Sequence, residues 1–511
     1  MTPRLRAWVP AIVSSALVGG LVGVGQLRAL PRPARPLPRP EVAFLSYEIV
    51  DTATGEPMPG KLTIVPTTPG KTVALGSGDL PRQDVGGMAA YDRIFSLKGV
   101  GASVVPPGTY DVYVSRGPEW TLFVQKGVKV GPAGAEVRAS LRHVIDSSGW
   151  LSGDFHVHSA ASPDSRVPMA ARVYEFVAEG VELIVSTDHN VVSDYAPVIG
   201  ELGATPLLAS LRGDEVTTGD WGHFGAFPLP QVMAQEGHGA LPVRGKSPAQ
   251  IFAAARRDAP DAVLDVHHPR LNETIGYFDR AHFDARSGKA TRKGFSLDFD
   301  ALEILNGYQD PDRRSVERLM SDWFAMIDHG RVVTATGNSD THHLDYNLGG
   351  YPRNYVRLAD DAPASVTPAG VAASVKGHRA FLTTGPFVRL RAGDAEVGDT
   401  VRAGEGGALT VRVQVQAAPW VDVSTVVLYQ DGKALRSWQV ARSEQVVRLD
   451  EELAVTVARD AYLVVRVDGN EPLLPVVGEP RRFVVRPFAL TNPLFVDADG
   501  DGKWTAPGAY R

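Results

Sequence analysis

Eleven of the chain's 13 histidines lie between His156 and His343, and eight of these fall in five short strings that also carry acids. GDFHVHSAASPDS (153–165) carries His156 and His158 two residues apart, with Asp164 on the stretch that follows. Side chains two apart on a strand share a face, so both imidazoles can grip one ion. STDHN (186–190) ends an apolar run with Asp188 and His189. RGDEVTTGDWGHF (212–224) offers Glu215 and then His223, DVHHPR (265–270) carries His267 and His268, and GNSDTHH (337–343) carries Asp340 and His342. The sequence has no cysteine, which excludes disulfides, thiolate zinc sites, iron–sulfur clusters and a cysteine nucleophile. Any metal is therefore held by nitrogen and oxygen, a donor set that suits Zn, Mn or Fe. Counting one of His267 and His268 and leaving Asp188 aside, nine candidate ligands exceed the three or four of one catalytic zinc, and with Glu215 as a bridge they suffice for two or three divalent ions. Clustered ions of this kind lower the pKa of bound water and generate a hydroxide nucleophile. Two neighbours are candidate catalytic groups. Arg270 is placed to clamp a phosphate or carboxylate, or else forms a structural ion pair. Asp188 either orients His189 or moves a proton, or else binds backbone amides at a strand end.

The elements that must carry these residues read as strands alternating with helices over 149–390. SPAQIFAAARRDA (247–259) opens with Ser247 as N-cap and Pro248 at the first helical position. A helix follows Asp310-Pro311, with Val316, Leu319, Met320, Trp323, Phe324 and Ile327 on one apolar face and Gly330 at its end. Between such helices lie ELIVSTDH (182–189), AVLDVHH (262–268), ALEILNG (301–307) and RVVTATGNSD (331–340). Ligands at the C-terminal ends of barrel strands converge on one mouth, so an α/β barrel is expected here.

The rest of the chain reads as β. Over 41–148, TYDVYVS (109–115) alternates with Tyr110, Val112 and Val114 on one face, and turn clusters recur at TGEPMPG (54–60), GSG (76–78), PPG (106–108) and GPAG (131–134). A β-sandwich similar to carboxypeptidase-regulatory modules is expected. Over 391–490, LTVRVQVQ (409–416) alternates strictly and Asp431-Gly432 marks a hairpin turn, which predicts an immunoglobulin-like sandwich. The 491–511 tail carries Asp497, Asp499 and Asp501 in a D-x-D-x-D-G run that suits Ca²⁺, although the twelfth position of such a loop is Gly508 and not an acid. A solvated acidic turn is therefore the preferred reading, with a Ca²⁺ site as the alternative. Residues 1–40 form a leader: Arg4 and Arg6 precede the uncharged stretch 7–27, a signal peptide or an anchor, and PRPARPLPRP (31–40) is an extended linker.

Taken together and in this order, H-x-H, D-H, Glu with G-H, H-P and S-D-x-H resemble the PHP (polymerase and histidinol phosphatase) family of metal-dependent hydrolases. The strings GDFHVHSAASPDS, STDHN, DEVTT with GHF, HHPR, EILNG and GNSDTHH are most similar to its carbaryl-hydrolase-like (CehA/McbA) branch, over roughly 150–390. The resemblance implies a distorted (β/α)7 barrel and a trinuclear site. It implies that His156, His158, Glu215 and Asp340 hold one ion, that Glu215 bridges to a second with His223 and His268, and that Asp164, His189 and His342 hold a third. The chain departs from the pattern at Pro163, where relatives often place the acid that here comes at Asp164, and at His267, where they often have Asn.

The expected protein is an exported hydrolase that uses a metal-bound hydroxide to cleave a phosphoester in a small-molecule substrate. Cleavage of a carbamate, carboxylic ester or amide at the same site is the alternative. A metal-stabilised surface binding protein is the alternative of another class. The formal charge is −6, but the leader holds six Arg and no acid, and the remainder has 46 bases against 58 acids, a net of −12. That acidity argues against a nucleic-acid partner. Membrane contact is expected only through residues 7–27, which places the protein outside the cytoplasm; the oligomeric state is not readable from the sequence.

Overall fold

The residues of the histidine clusters lie on, or in the loops that follow, strands of two sheets. The computed structural model describes residues 43–308, 314–345, 347–478 and 483–508, so the leader, its linker and Asp310-Pro311 lie outside the described residues. One sheet of five strands runs Asp214–Thr218, Gly222–Phe227, Val263–Val266, Ala301–Asn306, Thr334–Asn338. The first three are antiparallel neighbours and the last three are parallel. The other site-bearing strands, Trp150–Val157, Leu183–Ser186 and Ala209–Arg212, are parallel in an eleven-stranded sheet. Two isolated bridges at the site link the sheets: Val157 to Thr341 and His189 to Glu215.

This corrects the expected (β/α)7 barrel. The chain is 39% strand and 14% helix, with five separate sheets and six α-helices among the described residues. The reason is local. Only three residues separate Asp214–Thr218 from Gly222–Phe227, which makes an antiparallel hairpin and leaves no room for a crossover helix. The eleven-stranded sheet also leaves the central segment altogether. From Trp150–Val157 it continues antiparallel through Arg353–Arg357 and Ala380–Thr383 to Phe488–Thr491, and on to Ala461–Asp468. The expected boundary at 390 is thus crossed by ladder hydrogen bonds.

Helices cover these sheets where the apolar stripe demands it. Ser247 opens the helix Pro248–Asp258 with its N–H donating to Gln250 Oε1 at 2.9 Å, a capping box. In Arg314–Asp328 the residues Val316, Leu319, Met320, Trp323, Phe324 and Ile327 are all buried. Gly330, at φ +77°, follows its end.

The stretch 43–141 forms a three-stranded and a six-stranded sheet over a common core that includes Leu45, Ile49, Leu62, Val112, Val114 and Val137. In the C-terminal part, Asp431 (φ +49°) and Gly432 (φ +69°) turn Thr425–Gln430 back onto Lys433–Gln439. The N-terminal sheets are tied to the rest by buried polar contacts. Lys61 is fully buried, paired with Glu179 and donating to Val476 O at 2.8 Å.

Another junction carries a pH dependence. Glu182 accepts from Ser152 N at 2.9 Å and Ser152 Oγ at 3.0 Å. Burial and the nearby Glu119 charge push its carboxyl up from 4.5 to about 7 despite those bonds. A carboxyl raised on folding binds protons better in the native state, so its contribution to stability is lost as pH rises from about 4.5 to 7. We expect Glu182→Gln, which keeps an oxygen for Ser152, to flatten the fall in Tm over that window by a few degrees and to exceed the parent above it. Calorimetric Tm against pH for both proteins checks this; parallel curves would refute it.

Candidate metal centre

Glu215 is the hub. It is fully buried on the hairpin strand, opposite Gly225. Its Oε1 lies 3.1 Å from His156 Nε2, 3.1 Å from His223 Nδ1, 3.1 Å from His267 Nδ1 and 3.4 Å from His268 Nε2. Its Oε2 lies 2.7 Å from His189 Nδ1 and 3.5 Å from His158 Nε2. Asp340 closes the floor, with Oδ1 at 3.1 Å from His156 Nε2 and 3.2 Å from His158 Nε2. Asp164 closes the rim, with Oδ2 at 2.9 Å from His189 Nε2 and 3.2 Å from His342 Nε2. The structure therefore brings together all nine side chains singled out from the sequence.

These atoms form groups that could hold a metal ion: His156, His158 and Asp340; His156, Glu215 and His268; His189, Glu215 and His223; and His158, Asp164, His189 and His342. A fit test comes from the buried atoms left without a hydrogen bond: His156 Nε2, His158 Nε2 and Glu215 Oε2 at the centre, and His267 Nε2 and His268 Nδ1, the ring nitrogens that do not face Glu215. Such buried polar atoms are costly unless something meets them. His156 Nε2, His158 Nε2 and Glu215 Oε2 thus crowd with carboxylate and imidazole atoms at 2.7 to 3.5 Å without hydrogen-bond alignment, the arrangement cations satisfy. The residues fit divalent ions.

His267 and His268 differ in their neighbours. His267 lies flat on His156, with ring centroids 3.6 Å apart, and its Nδ1 makes an aligned hydrogen bond to Glu215. A Cβ on Gly225 would sit 2.4 Å from His267 Nε2, so only glycine fits opposite that ring. His268 joins Glu215 and His156 in a candidate metal group. Burial is graded from floor to rim: His156 and His158 side chains are fully buried, His342 is 12% exposed and Asp164 48%.

Charge is arranged to match. Burial would raise Glu215, but His189, His156 and His223 hold it well below the ordinary range. Asp340 and Asp164 are likewise held low by neighbouring imidazoles. Burial would lower His156, but Asp340, Glu215 and Glu303 raise it well above its usual value. Glu215 and Asp164 raise His189 to about 10 in the same way. Burial together with the His342 charge drops His158 to about 3. Without metal the cluster thus keeps protons on some imidazoles and ionised carboxylates beside them.

Other buried groups hold these ligands. Glu303, from Ala301–Asn306, faces His156 Nδ1 with Oε1 at 3.1 Å, accepts from Asn338 Nδ2 at 2.9 Å and takes His268 N at 2.7 Å. A carboxylate on the far nitrogen fixes the ring and raises its basicity. Arg172 donates to His158 O at 2.8 Å and to Thr341 O at 3.0 Å, tying two ligand-bearing segments together. His268 (φ +29°) and Asp340 (φ +52°) sit in the left-handed region, uncommon for such residues, and their amides are held by Glu303 and by His156 O at 2.9 Å. Sequence reasoning missed Glu303 and Arg172. The available signal was a charge inside an otherwise apolar run, ALEILN and MAARVYEFVA.

The geometry bears on the readings left open for Arg270, Asp188 and the tail. Arg270 is not a free clamp: it donates to Asp322 at 2.8 Å, Asp279 at 3.2 Å and Phe283 O at 2.8 Å, and it braces the segment after its strand. Asp188 does not engage the His189 ring. Its carboxylate takes Ser159 N at 2.6 Å and Ser193 Oγ at 2.5 Å, so it ties the loop after His158 to that after His189. In the tail, Asp497 accepts from the amides of Gly500 at 2.6 Å and Gly502 at 2.9 Å, Asp499 from Asp501 N and Asp501 from Lys503 N. The run closes on its own backbone in a series of Asx turns.

No family model matches the chain, and no curated protein does. Among solved structures, an engineered protein determined at 1.98 Å aligns over 71% of this chain with 11% identity and a TM-score of 0.16. The chain spans 65% of that protein's length.

Proposed function

We propose that the chain is an exported, multinuclear metal-dependent hydrolase of the PHP type, with two or three divalent ions (Zn, Mn or Fe) and a phosphoester as the bond cleaved. The observation that carries this reading is the nine-residue cluster around Glu215, buried at its floor, open at its rim and rich in unmatched imidazole and carboxylate atoms. Bound divalent ions supply Lewis acidity and bring the pKa of water towards neutrality. The chain's own residues do the rest. His156, His158 and Asp340 would bind at the floor, Glu215 would bridge, His223 and His268 would bind beside it, and Asp164, His189 and His342 would bind nearest to solvent. Glu303 orients His156, and Arg172 and Asp188 hold the ligand loops in register.

One observation favours the carbonyl reading (carbamate, ester or amide) as the second choice. The phosphate clamp expected from Arg270 is occupied by Asp322, Asp279 and Phe283 O. Export is proposed from the leader sequence alone. The deciding experiment is elemental analysis of the purified chain followed by assays on aryl phosphates, aryl carboxylates and aryl carbamates with Mn²⁺ or Zn²⁺ added. Expected are at least two ions per chain and turnover of one class well above the others. A chain with less than one ion and no turnover after metal is restored would sink the hydrolase.

A further inference from the structure

The turn Gly76-Ser77-Gly78 in the N-terminal sheets ends on Asp79, and that carboxylate leaves its own module. Gly78 has φ +66°, and a Cβ on Gly76 would lie 2.5 Å from Ala89 O, so both positions require glycine. Ser77 Oγ bonds Leu80 O at 3.0 Å, and Tyr91 OH donates to Asp79 Oδ1 at 3.2 Å. The N-terminal module therefore fixes where Asp79 points. It points at the loop after Asp340: His343 Nδ1 lies 2.8 Å from Asp79 Oδ2, and Leu344 N donates to Oδ1 at 3.1 Å. His343 directly follows His342, which stacks on His158 with centroids 4.0 Å apart and faces Asp164. The same loop is held from the other side by Arg172, which donates to His343 O at 3.0 Å, and by Asn347, whose Oδ1 takes His342 N at 2.9 Å.

We propose that Asp79 is a positioning residue, a latch by which the N-terminal module sets His342 at the solvent-side metal position. The proposal rests on the metal-centre reading above. The latch acts on one part of the cluster only. His156 and His158 are seated by Glu303 and by Arg172 on the peptide next to them, and not by Asp79. His342 sits on a loop whose outer hold includes a residue 264 positions away from its neighbour. Losing a group hydrogen-bonded to a ligand weakens metal binding by about ten- to a hundredfold, and Asp79, which acts through the residues next to His342, is expected at the lower end of that range.

The test titrates Co²⁺ into the metal-free full chain, followed by calorimetry and visible absorption, for the parent, Asp79→Ala, Asp79→Asn and Asp164→Ala. In Asp79→Ala the weakest equivalent is expected to lose about tenfold or more in affinity and to change its absorption, as it should in Asp164→Ala, while the tighter equivalents stay in place. Asp79→Asn keeps an oxygen for Leu344 N and should fall between. Should Asp79→Ala fail to fold, His343→Gln removes the ring from the same latch and is read in the same way. A parental isotherm in the folded variants overturns the latch alone, as does a loss spread over every equivalent, or the loss of an equivalent that Asp164→Ala keeps, since Asp79, His343 and Asp345 could themselves hold an ion. A parent that takes up no Co²⁺ overturns the metal centre and the latch with it.

Discussion

Glu215→Gln should abolish hydrolysis and strip the centre of metal. The carboxylate lies within 3.5 Å of nitrogens from His156, His158, His189, His223, His267 and His268, more than any other group of the cluster. Glutamine has the same shape, so packing is kept. It removes the negative charge and turns one acceptor oxygen into an N–H₂ donor, which cannot ligate. Lewis-acid catalysis contributes several kcal/mol to the transition state, so its loss costs on the order of 10³-fold or more in kcat/KM. Glu215→Asp keeps the charge and withdraws it by one methylene, and should retain part of the metal and of the rate. Elemental analysis and kinetics on the two variants decide it. A Gln variant with parental metal content and kcat/KM would mean that Glu215 is not the bridge.

The prominence of Glu215 was legible because strand alternation and strand ends leave a local mark. His156 lies on a strand and His158 just past its end, two residues on, and Asp188-His189, His267-His268 and Asp340 each close an apolar run. Ligand identity is local information; sheet partnership is not. The run RGDEVTTGDWGHF reads as one strand end, yet it folds as two strands with Thr217 opposite His223, and this brings Glu215 and His223 onto one site. Equally, nothing in AFLT (380–383) announces that it pairs with FALT (488–491). Apolar periodicity says that a strand is buried, not which strand covers it, and an alternation of strands and helices was therefore overread as a barrel. Glu303 and Arg172 escaped for a related reason. Their value lies in neighbours far along the chain, His156 and Thr341, and a single charge in an apolar run carries no address.

Chelation should cost the protein far more stability than any single surface change. Removing ions leaves buried atoms of His156, His158 and Glu215 without partners, and the site must fill with protons instead. A ligand present at a thousandfold its Kd contributes about 4 kcal/mol, so two tightly held ions amount to about 8 kcal/mol and a Tm shift on the order of 10 °C. The sign with pH follows from the imidazoles. Without metal, His189 is raised from 6.5 to about 10 by Glu215 and Asp164 in spite of its burial. A histidine raised on folding stabilises the native state fully below its unfolded value and loses that contribution as pH climbs towards 10. The metal-loaded chain has ions at those nitrogens and does not suffer that loss. The gap in Tm between loaded and chelated protein should therefore widen from pH 6.5 upwards and narrow on acidification, as protons compete for the same lone pairs. Differential scanning calorimetry with and without chelator across pH 6 to 9 measures it. A gap that is absent, or that shrinks as pH rises, would mean that the imidazoles around Glu215 answer to protons and not to metal.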